Sequence, residues 1–292
     1  MKQPAGRPVA TAFVPGHVTG FFSAHPAPDP AVAGSRGAGI ALSDGVTVTV
    51  SRGSGLRLNG ESVDIDPVDS VLSRLGLEAG VDAETPLPIG AGFGVSGAVT
   101  LGTALAANAA FGCKKTDNEL VELAHCAEVE AGTGLGDVVA QARGGLPIRL
   151  EPGGPGHGTL DGLAARPRIE YLTFGELSTE TVLSGDTDQL SEAGESALGR
   201  LLAEPTVEEF IQASAAFADA AGLLTAEVGE AIAAVEAAGG AAAMAMLGRT
   251  VFATGTGLSD AGYEPTVCRT DAAGGRLVDT ETGAIDSEKR TF

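Results

Sequence analysis

Lysine is nearly absent: Lys2, Lys114, Lys115 and Lys289 are the four in a chain of 292 residues. With 18 basic residues against 38 acidic ones and a formal net charge of −20, the chain is poorly equipped to grip a phosphate backbone, and a nucleic-acid partner is disfavoured. A Walker loop is excluded as well, because its glycines are followed by a lysine and none lies between Lys2 and Lys114. Cysteine is scarce. Cys113, Cys126 and Cys268 are odd in number and form no C-x-x-C pair, so reduced, mostly buried thiols are expected rather than a disulfide framework or a zinc ribbon. No apolar run approaches the roughly 20 residues that span a bilayer. The first residues, Met1 to Pro8, lack the apolar core of a secretory signal. A cytoplasmic protein with no membrane partner is the expectation.

What is abundant is acid, spread along the chain between aliphatic residues instead of gathered in a tail. Acid-rich, lysine-poor and alanine-rich composition suits a high-salt, halophilic cytoplasm, where screening cuts self-repulsion to about 3 Å at molar salt. The length suits two packed units.

Near the amino end, Val9 to Val14 and Ala38 to Val50 read as strands, the first stopped by Pro15-Gly16. Asn59-Gly60 marks a hairpin within Leu56 to Ile65. Helices are expected over Pro67 to Leu75, capped by Asp66 and stopped by Gly76, over Ser96 to Phe111, and over Asp117 to Glu130 behind a Thr116/Glu119 capping box. A strand over Leu146 to Leu150 precedes the glycine- and proline-rich stretch 151–158, the expected domain boundary. Beyond it, a strand at Ile169 to Phe174, helices at Thr187 to Leu202 and Val207 to Ala238, apolar segments at Ala241 to Leu247 and Thr250 to Ala253, and final strands at Glu264 to Arg269 and Arg276 to Asp279 suggest an α+β sandwich. Residues 281–292 read as a frayed tail.

The run Pro88-Ile-Gly-Ala-Gly-Phe-Gly-Val-Ser-Gly97 leads into a helical stretch beginning near Ser96 and Ala98. It delivers successive backbone N–H groups to a helix start, which makes an anion site. Gly92 to Gly97 also satisfies G-x-G-x-x-G, but Pro86 and Pro88 stand where a dinucleotide-binding strand would need its donors. Asp117, near the spacing of a ribose-binding acid, is better used at a helix start.

Three further segments carry polar groups. Phe13 to Phe22 presents His17 and Thr19 between apolar neighbours. In Ala124 to Val138, Glu128 shares a helix face with His125 and Ala124 while Glu130 points elsewhere. Asp137, held after Gly134-Leu135-Gly136 and followed by apolar residues, reads as a partly buried carboxylate with a partner or a task. Ala241 to Ala253 is an apolar hairpin turning at Gly248-Arg249.

Taken in order, these segments resemble the GHMP kinase superfamily, whose P-x-x-x-G-L-G-S-S-A motif is matched within Pro88 to Ala98, with Phe93 for the Leu, Val95 for the first Ser, Ser96 for the second and Gly97 for the first Ala. Phe13 to Phe22, Thr133 to Asp137 and Met244 to Gly248 are most similar to the archaeal pantoate kinases within it. The resemblance implies a two-domain fold: residues 1–152 as an ATP-binding domain like ribosomal protein S5 domain 2, and residues 159–280 as a ferredoxin-like domain.

The resemblance also implies ATP as co-substrate, held by Pro88, Gly90, Ala91, Gly92, Phe93, Gly94, Val95, Ser96, Gly97 and Ala98, and Mg²⁺ held by Ser96 and Glu128, with Glu130 as competitor. Asp137 would orient the acceptor hydroxyl and take its proton. For the substrate, Arg36 and His17 are the favoured contacts, with Thr19 and Arg249 as further candidates. Pantoate is the expected acceptor; a homoserine- or mevalonate-like alcohol, and a sensor without catalysis, stay open alternatives, as does a homodimer. The chain departs from its relatives at His17, where several carry lysine, and at Val95, which removes a hydroxyl from the loop.

Overall fold

The computed structural model describes residues 9–176, 187–246 and 248–278; the expected tail at 281–292 lies outside them. Strands β1 (Val9–His25) and β2 (Gly34–Ser51) form one long antiparallel hairpin. Pro15-Gly16 does not stop β1. It sits in a register shift between Pro15 and His17, and a second shift lies between Thr19 and Phe21; a bulge tolerates a proline without its N–H and re-aims the side chains that follow.

The turn between β3 (Leu56–Leu58) and β4 (Glu61–Val63) places Asn59 and Gly60 at φ 52° and 83°, the left-handed pair that a two-residue hairpin requires. Helix α1 (Asp66–Arg74) follows with Ile65 at its cap, so Asp66 lies inside the first turn, where a carboxylate still favours the helix N-terminus. Next come β5 (Gly80–Glu84), α2 (Val95–Phe111), α3 (Asp117–Ala131), whose Thr116/Glu119 capping box forms as expected, and α4 (Asp137–Arg143). Strands β6 (Leu146–Glu151) and β7 (Thr159–Leu163) pair with each other, and β6 pairs with β2.

The second unit runs β8 (Arg168–Glu176), α5 (Thr187–Ala203), α6 (Val207–Ala220), α7 (Ala226–Ala237), β9 (Ala242–Ala245), β10 (Gly248–Thr254), α8 (Gly257–Asp260) and β11 (Thr266–Arg269). Its antiparallel order, β11-β8-β10-β9, is the ferredoxin-like arrangement. The helix expected over Val207 to Ala238 is two helices. Gly222 at φ 66° ends the first, with the Gly222 and Leu223 amides returning to the Asp219 and Ala218 carbonyls.

Strand β12 (Arg276–Val278) does not pair with β11; it returns to β1, giving the larger sheet the order β12-β1-β2-β5-β3-β4. Since β7 also joins this sheet, the sheets divide after Leu163 rather than at 151–158. Helix α2, small-residued and buried from Val95 to Ala107 except at Ser96, packs on β1 and β2, with α1 and α3 against it. An aromatic seam of Phe21, Phe210, Phe217 and Phe252 joins β1 to the second unit, its rings 6.1–6.5 Å apart. No helix among the described residues is long and apolar enough to cross a membrane.

Candidate active site

The run Pro88 to Gly97 is an open loop ending at Gly94, whose φ of 62° forms the cap of α2. Three of its carbonyls are tied down from behind. The Thr250 hydroxyl donates to Ala91 O at 2.9 Å, the His17 amide to Phe93 O at 2.9 Å, and the Gln141 side chain to Gly94 O at 2.8 Å. No backbone N–H from Gly92 to Gly97 donates to another protein atom among the described residues. The loop thus spends its acceptors on the scaffold and keeps its donors, at the positive end of a helix, for an anion.

Two glycines are needed for close approach. A Cβ on Gly248 would lie 2.0 Å from Ala91 O, and one on Gly92 2.8 Å from Met246 O. The hairpin of β9 and β10 therefore backs the loop, which is the role of the Met244 to Gly248 segment.

The loop lines a cleft of about 440 Å³. Leu58, Ile65, Pro67 and Ile89 line it together with Thr19, Thr133 and Asp137. Apolar walls, a row of free amides and a carboxylate beside Gly94 share this cleft, the groups that a nucleoside triphosphate and an acceptor alcohol would need.

Asp137 opens α4 and is about a quarter exposed, whereas its partner His17 is fully buried. His17 Nδ1 donates to Asp137 Oδ1 at 2.7 Å, the carboxylate fixing the tautomer. Thr19 Oγ1 lies 3.5 Å from the same oxygen. Burial holds the imidazole below the usual histidine value, against the raising effect of Asp137, so it is neutral at pH 7 and its inner nitrogen, Nε2, has no partner. Burial would raise the Asp137 carboxyl; the hydrogen bond from His17 and the nearby Arg149 charge outweigh it and hold the group below the usual aspartate value. Oδ2 has no protein partner among the described residues and is the oxygen left for a substrate.

Arg149, from β6, is buried beside this pair, with Nε 3.2 Å from Ser35 Oγ and one terminal nitrogen unpartnered. Burial pushes its guanidinium down to about 10, against the attraction of Asp137. Gly136 makes the approach possible, since a Cβ there would lie 2.6 Å from Arg149 Nε and 2.4 Å from Ser35 Oγ.

Glu128 is buried on α3 and collects three hydroxyls: Ser96 at 2.9 Å and Thr100 at 2.7 Å on Oε1, and Thr133 at 2.7 Å on Oε2. Burial raises its carboxyl despite these donors, as expected of an anion without a counter-charge. A Cβ on Gly134 would stand 3.2 Å from Glu128 Oε2 and 4.0 Å from Asp137 Oδ2, so the glycine leaves space between the two carboxylates. Glu130 points to the surface and pairs with Arg74.

The substrate cations expected from the sequence are not brought together. Arg36 is paired with Glu195 at 2.6 Å and donates to Leu150 O at 2.7 Å, and Arg249 is paired with Glu227. His17 is the partner of Asp137 and has no exposed atom. Arg149 and Gln141 carried no sequence signal: the one lies in an alternating strand, the other one turn beyond Asp137 on a helix that was not expected.

The family model for the GHMP kinases N terminal domain matches residues 67–145, spanning the loop, Glu128 and Asp137. The pantoate kinase of Thermococcus kodakarensis is 38% identical over 237 residues, covering 75% of this chain and 78% of that protein. The pantoate kinase of Methanospirillum hungatei is 34% identical over 256 residues, covering 84% and 87%. A solved structure described as a phosphotransferase related to the CoA biosynthesis pathway superposes with a TM-score of 0.84 at 31% identity, over 92% of this chain and 98% of its own.

Proposed function

Because the chain belongs to the GHMP kinase superfamily, with archaeal pantoate kinases among its relatives, we propose that it transfers the γ-phosphoryl group of ATP to the primary hydroxyl of pantoate, forming 4-phosphopantoate on the route to coenzyme A. The observation that carries the reading is the Asp137 carboxylate, fixed by His17 with Oδ2 free, in the same cleft as the unpaired amides of Gly92 to Gly97.

The loop amides bind phosphate oxygens, and the apolar walls take the base. Asp137 Oδ2 accepts the acceptor's hydroxyl and receives its proton. A carboxylate with a depressed pKa is a weak base, which suffices where the transition state is loose and the proton leaves late; orientation is its larger contribution. Ser96 and Glu128 would hold Mg²⁺: the donors are hard oxygens, two protein ligands leave room for phosphate and water, and the raised Glu128 carboxyl is short of a counter-charge. Such an ion supplies charge neutralisation at the phosphates. Arg149, buried behind the cleft, is the charge that helps hold Asp137 ionised; of Arg36, His17 and Arg249, the sequence's candidates for the substrate carboxylate, none lines the cleft.

ADP release from Mg·ATP with pantoate, homoserine and mevalonate in parallel tests the reading. Turnover restricted to pantoate is expected. Turnover with another alcohol instead would move the chain elsewhere in the superfamily, and ATP binding without any phosphorylated product would make it a sensor.

A further inference from the structure

Gly97 stands where the superfamily motif carries alanine, and Gln141 occupies the space. A Cβ on Gly97 would lie 3.1 Å from Gln141 Oε1, and one on Gly94 3.0 Å from Gln141 Nε2. Gln141 is fully buried, donates to Gly94 O at 2.8 Å, and leaves Oε1 without a partner among the described residues. A buried, unpaired amide oxygen costs stability, so packing alone gives no reason for a glutamine here. Its place in the fold supplies one. Gln141 lies one helical turn after Asp137 on α4, and both side chains lie over the same two glycines: a Cβ on Gly94 would stand 3.3 Å from Asp137 Cγ, and one on Gly97 3.5 Å from Asp137 Cβ.

We infer that Gln141 is a positioning residue that locks the phosphate loop to the helix carrying the acceptor-orienting carboxylate, and that Gly97 is the space made for it. Helix α4 then sets the separation between the γ-phosphoryl group and the acceptor hydroxyl. In-line transfer is sensitive to that separation, since a displacement of about 1 Å costs on the order of 10²-fold in rate. The amides that bind ATP belong to the loop itself, so the affinity for nucleotide does not depend on Gln141. The inference rests on the kinase reading above.

The test is a cycle of wild type, Gly97→Ala, Gln141→Ala and the double variant, with Gln141→Leu as a second, volume-preserving probe. Measurements are kcat, affinity for a non-hydrolysable ATP analogue, and melting temperature. Gln141→Leu is expected to lower kcat about 10- to 100-fold while nucleotide affinity stays within about threefold. Gly97→Ala alone is expected to lower kcat about tenfold, and to add less than about a twofold loss when Gln141 is already alanine, because the partner it collides with is gone.

A Gln141→Leu enzyme within about twofold of wild type in kcat would overturn the inference, as would losses that multiply across the cycle. Wild type alone tests the pantoate reading. If it uses another acceptor, the cycle is run on that acceptor. If it uses none, the background hydrolysis of ATP and the coupling between the two substitutions in analogue affinity decide, with additive effects counting against the lock.

Discussion

Replacing Asp137 by asparagine removes a charge while keeping a shape. The asparagine Oδ1 can still accept from His17 Nδ1 at the present 2.7 Å. What goes is the anion that meets the acceptor's hydroxyl at Oδ2 and balances the buried Arg149. A positioned acid–base group contributes typically 10²–10⁴ in rate; because the Asp137 pKa is depressed, the lower half applies. A fall in kcat of about 10²–10³, or roughly 2.7–4 kcal/mol of barrier, is expected. The Arg149 charge, left with Ser35 as its hydrogen-bond partner among the described residues, should lower stability by about 1–2 kcal/mol, less than for a fully buried pair because Asp137 is partly exposed. Initial rates of ADP release at saturating substrates, calorimetric ATP affinity and thermal melts of both proteins measure the three quantities. ATP affinity should change little, since no loop amide depends on Asp137. A kcat within threefold of wild type, accompanied by the stability loss, would refute the reasoning by reducing Asp137 to a structural anion.

Since the folded Asp137 pKa lies below its ordinary value, the ionised form persists as pH falls through the ordinary carboxylate range, and its contribution to stability is lost only as pH falls through the depressed value. His17→Phe removes the largest lowering influence, so the acid limb of kcat against pH should shift upward; an unmoved limb would contradict the assignment. Arg149→Met removes a charge that lowers the Asp137 pKa, so it too should shift that limb upward with the KM for ATP little changed, whereas Arg36→Ala and Arg249→Ala should stay within about threefold in KM for pantoate, since partly exposed ion pairs contribute little. With a net charge of −20, the melting temperature should climb steeply between low salt and about 1 M KCl as the Debye length shrinks to about 3 Å; a flat response would remove the high-salt reading of the composition, on which the thermococcal and methanogen relatives are silent.

Local signals survived into the structure where local chemistry decides the backbone. Asn59-Gly60 makes its turn because both residues tolerate positive φ, and Thr116 with Glu119 caps α3 by bonds within four residues. The loop was legible because its glycines serve a close approach and a left-handed cap that few other residues permit. Illegible features depend on distant partners. Pro15 reads as a strand end until β2 supplies a bulge, and β12 pairs with a strand at the opposite end of the chain. The substrate cation was sought at Arg36, His17 and Arg249, yet Arg36 is held by Glu195, His17 by Asp137 and Arg249 by Glu227, and the buried charge beside Asp137 is Arg149, packed against Gly136. In the sequence that glycine is only part of a turn.

The central claim is that this cleft joins the γ-phosphoryl group of ATP to the primary hydroxyl of pantoate. Proton-coupled ³¹P NMR of the product made from Mg·ATP and pantoate tests it directly. The account predicts a new phosphomonoester resonance split by the two protons of one methylene group, appearing with ADP in equal amounts. A resonance split by a single methine proton, or inorganic phosphate as the sole product, would contradict it.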